Sequence, residues 1–247
     1  MRPATPREGL IHTVARLLEG VRHVAVGAAS PIPAAGAMLL RATEQRAGRP
    51  GPRISILGSV RHNFFTDGSS ELFDCAAQGR IDAFFLGGGQ IDGRGNVNLV
   101  GAGGYPQSQV RWPGSFGSAF LYFVVPRVIL FREEHSPRVL VDRVEFVSAP
   151  GTSEPGVHRP GGPAALLTSL ALFSFDREGG RFRLESVHGA SAAEVRARTG
   201  FSYDEPGVVP QTPRPEGETL DLLRGRVTAE LSETYPHFAA ALRADLA

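Results

Sequence analysis

Asp82-Ala-Phe-Phe-Leu86-Gly-Gly-Gly-Gln90-Ile-Asp92-Gly-Arg-Gly-Asn96-Val-Asn98 is the stretch whose reading decides the fold. Apolar residues Ala83 to Leu86 run straight into three glycines, Gly87, Gly88 and Gly89. A short apolar run bounded by turn residues reads as a buried strand. Glycines at its carboxyl end let backbone amides approach a ligand closely. Open α/β sheets bind ligands beyond the carboxyl ends of their strands. Gln90, Asp92, Asn96 and Asn98 follow at alternate or near-alternate positions, and each can hydrogen-bond or cap a turn. On residue types alone, a Gly/Asn-rich hairpin without chemistry fits equally well.

Working outward, strand and helix signals alternate. Thr5-Pro-Arg-Glu8 is a capping box with proline at the first helical position. His23 to Gly27 reads as a strand, and Ser30 can cap a helix from about Pro31 to Arg46. Arg53 to Leu57 reads as a second strand and Ser69 to Gln78 as a helix. This βαβ alternation predicts an α/β fold with parallel pairing. Downstream, Gly117 to Val124 reads as a helix, and Arg127 to Phe131 and Val144 to Val147 as strands. Pro150 to Pro163 is a Gly/Pro-rich surface loop. Leu166 to Phe175 and Arg181 to Val187 read as a strand pair joined at Asp176 to Gly180. Ser191-Ala-Ala-Glu194 is a second capping box. The proline-rich Glu205 to Pro215 reads as an extended segment, followed by an amphipathic helix from about Leu220. The expected organisation is one domain over 1–247, with that C-terminal segment and helix from about 205.

Composition narrows the function classes. The chain has 247 residues, of which 42% are hydrophobic, enough for a sizeable core. A formal charge of +1 gives no argument for nucleic acid. All 26 basic residues are arginine, which excludes a Schiff-base lysine and a P-loop lysine. The lone Cys75 permits no internal disulfide and suits a reducing, cytoplasmic setting. The most apolar stretch, Phe116 to Phe131, is interrupted by Pro126 and Arg127 and is too short to span a bilayer. Histidines and carboxylates show no metal-ligand spacing.

Other constellations fail on local grounds. Gly101-Ala-Gly-Gly104 lacks the third glycine of a dinucleotide loop, with Pro106 in its place. Pro113-Gly-Ser-Phe-Gly117 lacks the first glycine of a nucleophile elbow, and no central strand precedes it. Asp92 has the chemistry of a general base, but an aspartate in such a loop is more often a turn cap.

Gly-Gly-x-Gln-Ile-Asp-x-x-Gly-Asn-x-Asn, from Gly87 to Asn98, resembles the signature of the β subunit of the family I CoA-transferases. The resemblance extends to His23-Val-Ala-Val-Gly-Ala-Ala-Ser-Pro-Ile-Pro, to Pro113-Gly-Ser-Phe-Gly117, to Val144-Glu-Phe-Val-Ser-Ala-Pro-Gly151, to Leu184-Glu-Ser-Val-His188 and to Glu194-Val-Arg-Ala-Arg-Thr-Gly200. It covers roughly residues 8 to 215. It implies an open, mainly parallel sheet flanked by helices and an α-subunit partner in a heterodimer or heterotetramer. It also implies an acyl-CoA substrate, with coenzyme A as part of that substrate and no bound cofactor or metal. Gly87, Gly88, Gly89, Gln90, Asp92, Asn96, Asn98, Gly114, Ser115 and Gly117 then become the substrate-facing candidates, Gly114 and Ser115 through turn amides suited to an oxyanion.

One departure stands out. The family attacks acyl-CoA with a glutamate at the end of the second strand. Here Gly58 occupies that position, and no residue between Glu44 and Asp67 is acidic. The chain is therefore similar to the branch that opens a ring hydrolytically in a cyclic acyl-CoA during steroid breakdown, with its catalytic acid or base on the partner subunit. An ordinary transferase with a displaced nucleophile and a non-catalytic acyl-CoA-binding scaffold remain as alternatives.

Overall fold

The computed structural model describes residues 2–245. Helix α1 spans Pro6–Leu17, β1 His23–Val26, α2 Pro31–Arg46, β2 Arg53–Ile56, α3 Gly68–Ala77 and β3 Ala83–Leu86. Four two-residue strands follow: β4 at Gln90–Ile91, β5 at Val97–Asn98, β6 at Gly101–Ala102 and β7 at Val110–Arg111. Then come α4 (Ser118–Val124), β8 (Arg127–Arg132), β9 (Pro163–Thr168), β10 (Ala171–Asp176), β11 (Arg181–Val187) and α5 (Ala192–Arg198). The C-terminal segment holds α6 (Gly217–Leu222), a π-helical turn at Leu223–Val227, α7 (Thr228–Leu231) and α8 (Pro236–Ala244). Seven strands make one mixed, mostly parallel sheet in the order β11-β10-β9-β8-β3-β1-β2, flanked by helices.

The chain forms two compact units. The first holds the residues up to Leu72, Arg80–Ala83 and the segment from Pro213 onward. Thr5 and Glu8 close the expected capping box at the start of α1. In that unit α1 packs closely on α2, and Gly36 makes the approach possible. A Cβ there would lie 2.3 Å from Val14 Cγ1 and 2.9 Å from the Ile11 carbonyl. β1 and β2 pair in parallel from His23↔Arg53 to Val26↔Ile56. Val24, Val26, Ile54 and Ile56 are buried, as the apolar runs predict.

The second unit holds Phe73–Gly79 and Phe84–Thr212. β8 and β9 pair in parallel, whereas β9–β10 and β10–β11 are antiparallel. Phe173, Phe175, Phe182 and Phe201 form its aromatic centre, with ring centroids 4.9 to 6.4 Å apart and mostly tilted or edge-on.

Three local expectations are corrected. Val144 to Val147 is not a strand, because its backbone is tied by side chains. Val144 N–H donates to Asp92 Oδ2 (3.4 Å) and Glu145 N–H to Gln90 Oε1 (3.1 Å). Leu166 to Phe175 is not one strand. Thr168 accepts the Ala171 amide (3.1 Å) and donates to the Ala171 carbonyl (3.1 Å), folding the run into the β9–β10 hairpin. Ser30 stands at the N-cap of α2 but makes no side-chain cap bond; proline at the first helical position already removes one unsatisfied donor. Among the described residues, no helix is long and apolar enough to cross a membrane.

Candidate functional site

In the second unit, β3 ends at Leu86 and the chain passes through Gly87, Gly88 and Gly89 into the β4–β5 hairpin. Steric demands from within the unit explain all three glycines. A Cβ on Gly87 would meet the Phe131 carbonyl at 3.1 Å, one on Gly88 would meet Val97 Cγ1 at 2.4 Å, and one on Gly89 would meet the Trp112 indole at 2.2 Å. The backbone has to be bare here for the hairpin and the tryptophan to close over it.

The polar side chains of the hairpin bond to one another. Gln90 Oε1 accepts from Asn98 Nδ2 (2.8 Å), and Gln90 Nε2 donates to Glu145 Oε1 (2.8 Å). Asn98 Nδ2 also donates to the Gly101 carbonyl (2.8 Å), while its Oδ1 accepts the Val100 amide (3.0 Å). Asp92 Oδ1 accepts the amides of Arg94 and Asn96, both at 3.0 Å, and Oδ2 accepts Asn96 Nδ2 at 3.1 Å. Asn96 Oδ1 in turn accepts the Gly151 amide (3.0 Å). Gln90, Asp92 and Asn98 are buried, so full satisfaction is what makes their burial tolerable. Asp92 is the turn cap rather than a base. These four side chains shape the hairpin that presents the glycine backbone.

Glu145 was not foreseen. It lies 55 residues from Gln90, and although the Val144–Gly151 stretch carries part of the family resemblance, nothing in it points to this contact. Its second oxygen accepts the amides of Gly103 (2.6 Å) and Gly104 (3.1 Å), joining the β4–β5 hairpin to the β6–β7 hairpin. The hydrogen bond from Gln90, then those two amides, hold its carboxyl below the ordinary glutamate range. Trp112 was also missed, although it is the chain's single tryptophan and covers Gly89.

The Pro113–Gly117 turn follows β7. Gly114 takes φ +95°, and its amide donates to the Leu99 carbonyl at 3.0 Å. That amide is therefore occupied. The Ser115 carbonyl accepts the Ser118 amide (2.8 Å) and opens α4. Gly117 sits against the Phe73 ring, 2.0 Å from where its Cβ would be. Phe116 adopts φ +48°, and 83% of it is exposed. A non-glycine residue held there is strained, a feature that clusters at functional sites.

In the first unit, Gly58 ends the β2 turn at φ +86°, and a Cβ there would meet only Ala28 Cβ, at 3.7 Å. Two carboxylates approach this loop. Glu71 accepts the Thr66 and Asp67 amides and the Thr66 hydroxyl, and those bonds, the Thr66 amide foremost, lower its pKa. Glu233 reaches back from the C-terminal segment. It accepts the Ser59 hydroxyl (2.7 Å) and the amides of Val60 (2.8 Å) and Arg61 (3.3 Å). Partial burial raises its pKa, but bonds from Thr234, Ser59, Val60 and Arg61 outweigh that and bring it down to about 2. Among the described residues, no group of three or more His, Cys, Asp or Glu side chains is arranged to hold a metal.

Comparison with known proteins places the chain in a family. The chain is 33% identical over 153 residues to the B-type subunit of 3-oxoadipate CoA-transferase from Pseudomonas knackmussii, covering 59% of this chain and 58% of that protein. It thus matches less than two thirds of that relative's length. A crystal structure of the decarboxylase AibA/AibB superposes with a TM-score of 0.75 at 26% identity, covering 91% of this chain and 98% of the other. Glutaconate coenzyme A-transferase of Acidaminococcus fermentans gives a TM-score of 0.78 at 22% identity, covering 94% and 97%, and so shares the fold. The family model described as coenzyme A transferase matches residues 55–194, more than half of the chain; the protein belongs to the coenzyme A transferase family.

Proposed function

We propose that this chain is the B-type subunit of a two-chain enzyme of the family, acting on an acyl-CoA thioester. Water, rather than a protein carboxylate, makes the attack. The reaction is a hydrolytic carbon–carbon bond opening in a cyclic acyl-CoA of the steroid-degradation type. The observation that carries this reading is the tip of β2. Gly58 stands there with no side chain; of the nearby carboxylates, Glu233 accepts four hydrogen bonds over both oxygens and Glu71 accepts three on Oε2. A carboxylate so held is a weaker nucleophile, because its negative charge is shared with those donors. The catalytic acid or base then falls to the A-type partner. The solved relative described as a decarboxylase supports the view that this fold hosts reactions other than CoA transfer.

The rigid glycine loop and the Pro113–Gly117 turn form the wall facing the thioester in this proposal. With the Gly114 amide engaged by Leu99, the oxyanion donor of the turn is the Ser115 amide. Glu233 favours a second reading, ordinary CoA transfer with a displaced nucleophile, since it brings a carboxylate to the residues that follow Gly58.

The test is co-expression with the neighbouring A-type chain and a screen of acyl-CoAs for free CoA, acid exchange and ring opening. A glutamyl-CoA thioester is reduced by borohydride and cleaved by hydroxylamine. The complex should be insensitive to both after acyl-CoA exposure. Acid exchange together with a CoA adduct mapped to Glu233 or Glu71 would establish the transferase reading instead.

A further inference from the structure

We propose that the first unit carries a binding site for a phosphomonoester dianion, in a cavity built from α2, the loop after β2 and the C-terminal helices. The cavity has a volume of about 620 Å³ and is lined by Arg41, Arg61, Arg226, His62, Phe64 and Glu230. The three guanidiniums come from three separate elements, against one carboxylate. Arg41 pairs with Glu230, and Arg226 donates to Gln45 Oε1. The Arg61 backbone is fixed by Glu233, but among the described residues its guanidinium has no hydrogen-bond or ion-pair partner. The lining therefore holds more guanidiniums than carboxylates, and two of the three guanidiniums have no carboxylate paired to them among the described residues.

A buried histidine gives a second, independent indication. His62 is 4% exposed. Its Nε2 lies 3.0 Å from Glu230 Oε1, an ion-pair contact only if the ring is protonated, and among the described residues it has no hydrogen-bond partner. A buried polar atom without a partner is costly, and a bound ligand is one way the missing bond is supplied. Phe64, 44% exposed, stands at the rim with the Arg53 guanidinium 4.8 Å from its ring centroid. That leaves a stiff aromatic wall beside the charges. Guanidinium forks match phosphate oxygens in planar, bidentate geometry, and the Arg61 and Arg226 guanidiniums, neither in an ion pair with a carboxylate among the described residues, supply two such forks.

Two sources share this chemistry, namely a free organic phosphate and the 3′-phosphate of coenzyme A. Calorimetric titration of the intact chain with inorganic phosphate, adenosine 3′,5′-bisphosphate, CoA and dephospho-CoA separates them. We expect adenosine 3′,5′-bisphosphate to bind. Arg61→Ala and Arg226→Ala should each weaken it about tenfold or more, as loss of a charge-assisted contact does, at unchanged melting temperature. Binding abolished by prior saturation with CoA but not with dephospho-CoA identifies the coenzyme as the source; additive binding identifies a separate effector. Absence of phosphate binding, or binding indifferent to both substitutions, overturns the proposal. None of these readouts requires turnover, so the result stands apart from the proposed reaction.

Discussion

Substituting Gly88 with alanine separates two reasons for a glycine. If Gly88 is bare so that a ligand can approach, Gly88→Ala lowers activity and leaves stability unchanged. The packing says otherwise. The new Cβ would lie 2.4 Å from Val97 Cγ1 and 3.2 Å from both the Asn98 and Gln90 carbonyl oxygens. Carbon atoms rest at roughly 3.5–4.0 Å, so the overlap with Val97 is about 1 Å. Val97 is fully buried, and a β-branched side chain has few rotamers to retreat into. The two carbonyls belong to the hairpin ladder and cannot retreat either. Overpacking of this kind costs about 1–3 kcal/mol. At 1 kcal/mol for each ~2–4 °C in a chain of this size, a midrange cost of about 2 kcal/mol lowers the melting temperature by about 4–8 °C. Thermal melts followed by circular dichroism measure it. A melting temperature within about 1 °C of wild type, with activity lost, would falsify the packing argument and return Gly88 to the substrate wall.

Gly114→Ala meets open space and Gly58→Ala only ordinary contact with Ala28 Cβ, but both hold positive φ; each should cost about 1 kcal/mol from backbone strain alone, a smaller melting shift than Gly88→Ala. Gly89→Ala forces the far edge of the Trp112 ring aside, so the single tryptophan should show red-shifted, more quenchable emission; an unchanged spectrum counts against the contact. Glu233 has a folded pKa below its ordinary value, so its contribution is full above pH ~4.5 and fades as pH falls towards about 2. Exposure and salt screening reduce it to about 1 kcal/mol, and Glu233→Gln should flatten the acid limb of a pH–melting curve over that window. Burial lowers the pKa of His135 to about 4, so the folded state excludes a proton that the unfolded chain binds. Stability should fall by up to about 3 kcal/mol between pH ~6.5 and ~4, and a His135→Asn variant that keeps the wild-type slope refutes the assignment.

The βα alternation was legible because each strand is a short apolar run closed by glycine or proline, as at Ala83–Gly87 and Arg53–Gly58. The family was legible in the hairpin signature. The function of that signature was not, because the partners of Gln90 and Asp92 lie at Glu145 and Val144, more than fifty residues away. The same distance hides why Val144–Val147 fails as a strand, since its alternation is genuine but its amides are claimed by side chains. Glu233 is the extreme example, a C-terminal carboxylate that organises residues 59–61 across 174 positions of sequence. Arg41, His62 and Glu230 likewise come together only in the folded chain.

The hairpin network also sets an order of events during translation. Gln90 and Asn98 can bond as soon as both have left the ribosome, but Asn96 waits for Gly151 and Gln90 for Glu145, each 55 residues later. At about 5–20 residues per second, that interval lasts roughly 3–11 s. Throughout it, a glycine-rich loop and the polar groups meant to be buried beneath it stay hydrated and unlatched. The nascent chain therefore carries the glycine loop and its hairpin in an unlatched form until the segment through Gly151 has emerged.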